Sequence, residues 1–367
     1  MVVGIVKEIK TDEFRVGATP LNVAQLVEHG HSVLVQSSAG EASGFDDKEY
    51  RSYGAQIVNS AKEVYAKATL IVKVKEPQVS EYELLNKSHT IFCYLHLAPV
   101  KELVSVLVKS GVCAIAYETI AADNQLPLLK PMSEIAGKMA SLVAAHHLSR
   151  YQGGEGVLIS GVHGVEAANV LIIGAGNAGY NAAKMATGMG ANVRVINRSS
   201  PKLEQINKTL PSVKTALYSP AKLLEQLKEV DIVISSVLIH GGARTPKLIT
   251  RDMLKQMKNG SVLVDITIDQ GGIAETSRPT THTDPVFTEE GVLHYCVANM
   301  PGAYPKTATI ALTNATLPYF LKLANEGSIN AIKNDKSLAL GVNIFNGKVT
   351  NRAVAEAHGF DFQELDL

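Results

Sequence analysis

The sequence predicts an α/β protein of two doubly wound domains joined by long helices. Three observations carry that prediction. At 367 residues the chain is too long for one typical core, so two domains are the natural division. Along its first third, β-rich runs alternate with helical patterns, as in a mostly parallel sheet with covering helices. In the middle, residues 170–197 read as strand, glycine turn, helix and strand.

That middle stretch organises the chain. Val170-Leu171-Ile172-Ile173 is a short apolar run suited to a buried parallel strand. Gly174-Ala175-Gly176-Asn177-Ala178-Gly179 follows at once and matches G-x-G-x-x-G. The first glycine permits the tight turn, the second lets the backbone approach a pyrophosphate, and the third lets helix and strand pack closely. Residues 180–189 have helical composition, Gly190 stops the helix, and Asn192-Val193-Arg194-Val195-Ile196 reads as the next strand. The free N–H groups of the helix start, Asn177 and Ala178 among them, then face the phosphates. The unit therefore reads as a Rossmann dinucleotide-binding domain. A glycine cluster in an unrelated α/β unit is the alternative.

Taken in order, the β-rich runs are residues 2–6, 32–36, 69–74, 90–95 and 112–117, with helical patterns at 21–29, 61–67 and 100–110. Ligands on such sheets bind beyond the carboxyl ends of strands. The residues just past each strand are therefore of interest: Lys7 to Arg15, Lys73, Lys75, His96 and Glu118. Pro127 and Pro131 punctuate the next segment. Ser133 can cap a helix running to about Arg150, with Ile135, Met139 and Leu142 on one face, and this helix serves as the connector between domains. Residues 231–236 and 261–266 read as further strands of the second sheet. The loops after them, 237–242 and 267–272, should face the cofactor through Val237, Leu238, Ile266 and Asp269. Residues 292–299 form another strand candidate. Residues 307–324 look helical, with Pro318 predicting a break or kink. The expected domains are 1–128 and 307–367 together, and 129–306. The polar C-terminal tail carries little signal.

Composition narrows the function. Lys+Arg and Asp+Glu both number 35, so no net charge favours a nucleic acid or an anionic membrane as partner. The first residues read as a strand rather than a signal peptide, and no apolar run reaches membrane-span length. Cys93, Cys113 and Cys296 are odd in number and widely separated, which suits buried thiols in a reducing compartment. A cytoplasmic protein is expected. H-E-x-x-H, C-x-x-C and G-x-S-x-G patterns are all missing, so metal and serine hydrolases have no support, and no metal is expected.

A nicotinamide enzyme needs a substrate anchor, an acid/base group and a partner steering that group. Lys75 ends an apolar strand, where burial would lower its pKa and sharpen its hold on an anion or carbonyl. His96 ends the next strand and suits proton transfer. Arg15 can grip a carboxylate with two parallel hydrogen bonds, and Asp269 lies just past a strand on the dinucleotide side. Each also has a plainer reading: solvated loop charges for Arg15 and Lys75, a satisfied core histidine for His96, a turn former for Asp269. His146-His147 on the connector helix reads as structural.

At these residues the chain resembles the alanine dehydrogenase family, essentially from end to end. The motifs are Lys7-Glu8 with Glu13-Phe14-Arg15-Val16, then Lys73-Val74-Lys75-Glu76-Pro77, Tyr94-Leu95-His96-Leu97-Ala98 and Pro131-Met132-Ser133-Glu134-Ile135-Ala136-Gly137. Val264-Asp265-Ile266 with Ile268-Asp269-Gln270-Gly271-Gly272, and Tyr295-Cys296-Val297-Ala298-Asn299-Met300-Pro301, complete the set. The resemblance implies a substrate domain made of both chain ends, a central dinucleotide domain, an active site in the cleft between them, and a homohexamer. It implies that Arg15 and Lys75 hold the substrate, that His96 and Asp269 are the acid/base pair, and that Ser133, Asn299 and Met300 line the cofactor. The implied reaction is oxidative deamination of L-alanine to pyruvate and ammonia, with hydride passing to NAD.

Two departures stand out. The family generally carries Asp at the end of the second strand of the dinucleotide domain, where it binds the ribose hydroxyls of NAD. This chain has Asn197-Arg198-Ser199-Ser200. Asn197 exerts no charge repulsion, and Arg198 with the two serines suits the 2′-phosphate of NADP. Family precedent favours NAD, whereas the local chemistry favours at least tolerance of NADP. The loop Val162-His163-Gly164-Val165 has His where Pro is common. Two rivals stand: the nucleotide-binding subunit of a proton-translocating transhydrogenase, which shares this fold and much of the motif set but does no amino-acid chemistry, and a catalytically silent NAD-sensing protein. Both require Arg15, Lys75 and His96 to be incidental.

Overall fold

The computed structural model describes residues 1–123, 125–237 and 244–367. Its strands, in chain order, are β1 (Val2–Ile5), β2 (Ser32–Gln36), β3 (Gln56–Val58), β4 (Leu70–Val72), β5 (Thr90–Cys93), β6 (Cys113–Ala116), β7 (Asn169–Ile173), β8 (Asn192–Asn197), β9 (Lys214–Leu217), β10 (Ile232–Ser235), β11 (Val262–Asp265), β12 (Val286–Glu289), β13 (Val292–Tyr295), β14 (Val342–Phe345) and β15 (Lys348–Val349). They divide between two compact units, Met1–Met132 with Tyr304–Leu367, and Ser133–Ala303.

The first unit holds a sheet in the order β15-β14-β6-β5-β4-β1-β2-β3. β1 to β6 run parallel. β4 (Leu70-Ile71-Val72) and β5 (Thr90-Ile91-Phe92-Cys93) are buried along their whole length, as expected of strands covered on both faces. Gly4 makes that covering possible: a Cβ there would lie 2.5 Å from a Val64 methyl and 2.8 Å from the Ala68 methyl, so the helix Ala61–Lys67 packs directly on β1. The C-terminal residues close the sheet, with β14 antiparallel to β6 and β15 paired back on β14. Asn346 and Gly347 both have positive φ, 48° and 77°, the two-residue hairpin turn that Asn-Gly favours. The tail thus carries a strand pair that its sequence announces through Asn-Gly between apolar residues.

The second unit holds a sheet in the order β12-β13-β11-β10-β7-β8-β9. All pairs are parallel except the antiparallel edge strand β12, joined to β13 through Glu290 and Gly291, both at positive φ. Val170, Ile172, Val193, Val195, Ile232, Ile234, Val262 and Val264 form one core face with Ala182, Ala183 and Ala186 of the glycine-turn helix. Leu171, Ile173, Val233 and Leu263 form the other.

Several expectations need correction. The connector helix spans Lys130–His147, so Ser133 lies inside its first turn rather than capping it. Pro131 is tolerated there because first-turn N–H groups have no intrahelical acceptor. The buried face of that helix is Ala136, Met139, Ala140 and Ala144, whereas Leu142 is exposed. Pro318 does not break its helix, which runs from Pro305 to Glu326 with Leu312, Thr313, Thr316, Phe320 and Leu323 buried. That burial offsets the lost hydrogen bond. The strand expected over 292–299 ends at Tyr295. Within the loop 162–165, Val162 and Val165 exchange backbone hydrogen bonds of 3.2 and 2.8 Å. Gly164 takes the positive φ (79°), which leaves His163 a turn position open to most residue types.

Candidate active site

In the first unit the chain leaves β1 toward β2 on one side and returns to β4 on the other. Ligands bind at such a reversal, beyond the carboxyl ends of the strands. Arg15 follows β1, Lys75 follows β4, His96 follows β5 and Glu118 follows β6. The sheet order β6-β5-β4-β1 makes their strands consecutive neighbours.

Neither Arg15 nor Lys75 is a solvated loop charge, since they are 2% and 8% exposed. The side chain of Glu13 already grips Arg15 by a fork, accepting from Nε at 2.7 Å and from Nη2 at 2.5 Å. It also accepts the Arg15 backbone N–H at 3.1 Å. The remaining nitrogen, Nη1, points to the Met132 sulfur at 3.0 Å. Burial alone would raise the Glu13 carboxyl, but the Arg15 bonds and the Arg15 and Lys75 charges bring it below its ordinary value. The Nε edge of Arg15 therefore serves the fold.

Lys73, two residues before Lys75, is fully buried. Its Nζ lies 3.3 Å from Glu8 Oε2 and 3.0 Å from Glu81 Oε1. Burial pushes the Glu8 carboxyl up, with Lys73 the main opposing influence. Glu8 Oε1 accepts the backbone N–H groups of Val74 at 2.6 Å and Lys75 at 3.3 Å, which holds the strand end that presents Lys75. Lys10 pairs with Glu76 at the same edge.

His96 is exposed within its unit, so it is no core histidine. Its backbone is left-handed (φ 45°), uncommon for a residue with a side chain. The surrounding protein, then the charges of Lys75, Lys10 and Arg15, disfavour the imidazolium and lower the pKa from its ordinary value. The ring is thus neutral near pH 7 and able to accept a proton.

In the second unit the corresponding reversal lies between β7 and β10. Gly174 has φ 107°, and a Cβ on it would sit 2.7 Å from Ser236 Oγ, past the end of β10. A Cβ on Gly179 would sit 2.0 Å from the Gly174 carbonyl oxygen, and one on Gly137 would sit 2.1 Å from that of Ala178. Gly176 differs, because a Cβ there would meet nothing within 4 Å among the described residues. It is the start of the helix Asn177–Gly188, which no side chain caps. Open space over an uncapped helix start fits a pyrophosphate. Asn197, at the end of β8, donates its amide to the Ser199 carbonyl at 3.3 Å. The Arg198 guanidinium lies 5.4 Å from the Tyr218 ring centroid. Val237 and Ile266 are partly buried against the core, and Leu238 lies outside the described residues.

Asp269 is exposed in the turn Ile268–Gln270 after β11. Asp265 anchors that turn by accepting from Thr267 Oγ1 at 2.7 Å, from the Ile273 N–H at 2.7 Å and from Ser277 Oγ at 2.6 Å. Asn299 has positive φ (59°). Met300 is packed into the core, so its side chain does not face a cofactor, contrary to expectation. Among the described residues no His/Cys/Asp/Glu cluster could hold a metal ion.

Two family models match the chain: the alanine dehydrogenase/PNT N-terminal domain over residues 4–136, and the C-terminal domain of the same family over residues 140–352. The chain belongs to the alanine dehydrogenase/PNT family. Relatives agree: an alanine dehydrogenase of Halomonas elongata is 49% identical over 99% of this chain and 98% of its own. A solved L-alanine dehydrogenase superposes with a TM-score of 0.94 at 44% identity, covering 98% of this chain and 99% of the other. A transhydrogenase from Sinorhizobium meliloti shares the fold, with a TM-score of 0.82 at 24% identity over 96% and 100% of the two chains. Within the family frame, sequence reading gave no role to Glu8, Glu13 or Asp265, the buried carboxylates that hold the candidate residues. All three lie inside the family motifs, which was their one visible signal.

Proposed function

We propose that the protein catalyses the reversible oxidative deamination of L-alanine: L-alanine, NAD and water give pyruvate, ammonium, NADH and a proton. The observation that carries this reading is the set of Arg15, Lys75 and His96 at the ends of three adjacent parallel strands, in a chain that matches alanine dehydrogenases along its whole length. A nicotinamide ring supplies the hydride acceptor for the α-carbon. Arg15 binds the substrate carboxylate, and Lys75 stabilises negative charge developing on the substrate oxygen. The imine formed at the α-carbon takes up water, with His96 or Asp269 accepting the proton, and ammonia leaves. Neutral His96 is suited to that transfer because desolvation by the surrounding protein, and then the charges of Lys75, Lys10 and Arg15, disfavour its protonated form.

NAD is the cofactor this reading selects, following the family. Asn197 in place of a carboxylate leaves a 2′-phosphate unrepelled, so NADP is tolerated as well. Ser133 and Asn299 join the glycine turn in lining the cofactor, and Asp269 shares the proton chemistry with His96. The same reading carries a homohexamer and a cytoplasmic location. It is supported by three buried free cysteines, by exposed Tyr151, Leu158, Val162 and Val165 in one segment, and by the lack, among the described residues, of a helix long and apolar enough to cross a membrane. The deciding experiment is turnover of purified protein with L-alanine, and with pyruvate plus ammonia in reverse, using NAD(H) and NADP(H). Absence of turnover in both directions overturns the proposal.

A further inference from the structure

Beyond Tyr94, whose N–H still reaches the Val74 carbonyl at 3.0 Å, the chain leaves the sheet. The next two backbone N–H groups, those of Leu95 and His96, find their acceptor in a side chain instead. Glu118, in the turn Tyr117–Thr119 that follows the neighbouring strand β6, reaches across. Its Oε1 accepts from Leu95 at 3.1 Å and from His96 at 2.6 Å, and its Oε2 accepts from Leu95 at 3.2 Å. The residue so held is left-handed (φ 45°), a conformation that costs an L side chain energy and persists where surrounding bonds over-determine it. The direction of the His96 Cα–Cβ bond depends on that backbone. Ring contact adds little restraint, since the ring of Tyr94 is the only described aromatic partner and its centroid is 6.0 Å away.

We propose that Glu118 is a positioning residue: by accepting the N–H groups of Leu95 and His96 it keeps His96 left-handed and so aims the imidazole at the substrate. The inference rests on the reading of His96 as an acid/base group. It assigns Glu118 no proton transfer of its own. What matters is the reach of its oxygen, since the short bond to His96 and one of the bonds to Leu95 fall on a single atom. Burial pushes the Glu118 carboxyl up, and the N–H groups it binds, together with the Lys75 charge, partly oppose that rise. The donated N–H groups favour the ionised acceptor form, but burial outweighs them and leaves the carboxyl above its ordinary value; a carboxyl oxygen accepts the two N–H groups in either state.

The test compares Glu118→Gln, Glu118→Asp and Glu118→Ala with His96→Ala, measuring kcat and KM for L-alanine and for the cofactor alongside the thermal midpoint. Gln keeps an oxygen at the same reach, so Glu118→Gln should retain kcat within about threefold. Asp keeps the charge but is one methylene short, so Glu118→Asp should lose roughly 10- to 100-fold in kcat, as expected for a misaimed catalytic group. Glu118→Ala should fall by the same ~10- to 100-fold, with the cofactor KM unchanged in all three. If Glu118→Ala does not fold, the Gln and Asp pair still decides. Full kcat in Glu118→Asp, or equal losses in Gln and Asp, overturns the inference, as does a raised cofactor KM. Normal turnover in His96→Ala overturns instead the reading beneath it, and the two failures are distinguishable.

Discussion

Replacing Lys73 by Met tests the buried charge network under the candidate site. Met has nearly the length of Lys without its charge, so packing is largely kept and the ion pairs are lost. Lys73 is fully buried and is the cation between Glu8 and Glu81, whose side chains are 1% and 3% exposed. Removing one partner of a buried pair typically costs about 3–5 kcal/mol, because the remaining charge is left uncompensated. For a unit of roughly 200 residues, each kcal/mol moves the midpoint by about 2–4 °C, so Lys73→Met should melt roughly 6–20 °C lower. The sign with pH also follows. Glu8 already titrates above its ordinary value, and loss of Lys73 raises it further. A group raised in the folded state contributes most below its unfolded pKa and loses that contribution as pH rises through the folded value. The deficit of Lys73→Met should therefore be widest near neutrality and narrow toward pH 4–5. Calorimetry at fixed protein concentration measures it, and adding Glu8→Gln and Glu81→Gln should return part of the loss. A midpoint within about 2 °C of the parent at pH 7, or a deficit that grows on acidification, would refute the reasoning.

Other outcomes follow from the same geometry. His96→Ala and Asp269→Ala should each lower kcat for L-alanine by at least ~10²-fold, as for a lost acid/base group; near-normal rates in folded His96→Ala would remove that role. Asn197→Asp should raise the specificity constant for NAD relative to NADP, by restoring a carboxylate that repels the 2′-phosphate. If the parent already rejects NADP and the substitution changes nothing, the phosphate reading of Asn197-Arg198-Ser199-Ser200 fails. Gly179→Ala should abolish NADH binding, measured by fluorescence titration, because its Cβ would stand 2.0 Å from the Gly174 carbonyl oxygen. An unchanged dissociation constant would mean that helix and turn move apart without consequence.

What the sequence by itself determined is the part written in local chemistry. Runs such as Val170-Leu171-Ile172-Ile173 can only be buried strands or buried helix, and the glycines beside them decide for strands. G-x-G-x-x-G fixes a turn because its first and third glycines answer close approaches, which the structure measures at Gly174 and Gly179. The hairpin at Asn346-Gly347, by contrast, came to light only in the structure, although Asn-Gly is a local turn signal in a tail read as carrying little.

Tertiary structure decided the rest, because it depends on partners far apart in the chain. Val72-Lys73-Val74-Lys75 alternates two apolar residues with two lysines, and nothing local distinguishes the lysines. Glu8 and Glu81 make Lys73 a buried structural cation, and Glu8 then steadies the backbone of Lys75 from 67 residues away. Arg15 looks like a free fork in the sequence, yet Glu13 takes one edge of it. The left-handed backbone of His96 reflects no residue preference at that position; a carboxylate 22 residues later holds it there. Pro318 reads as a helix breaker until the buried face on either side of it is known. A local signal survives where one short segment contains all its own constraints. Where the energy comes from ions and hydrogen bonds that must be desolvated together, only the assembled sheet reveals which residue bears the charge and which one supports it.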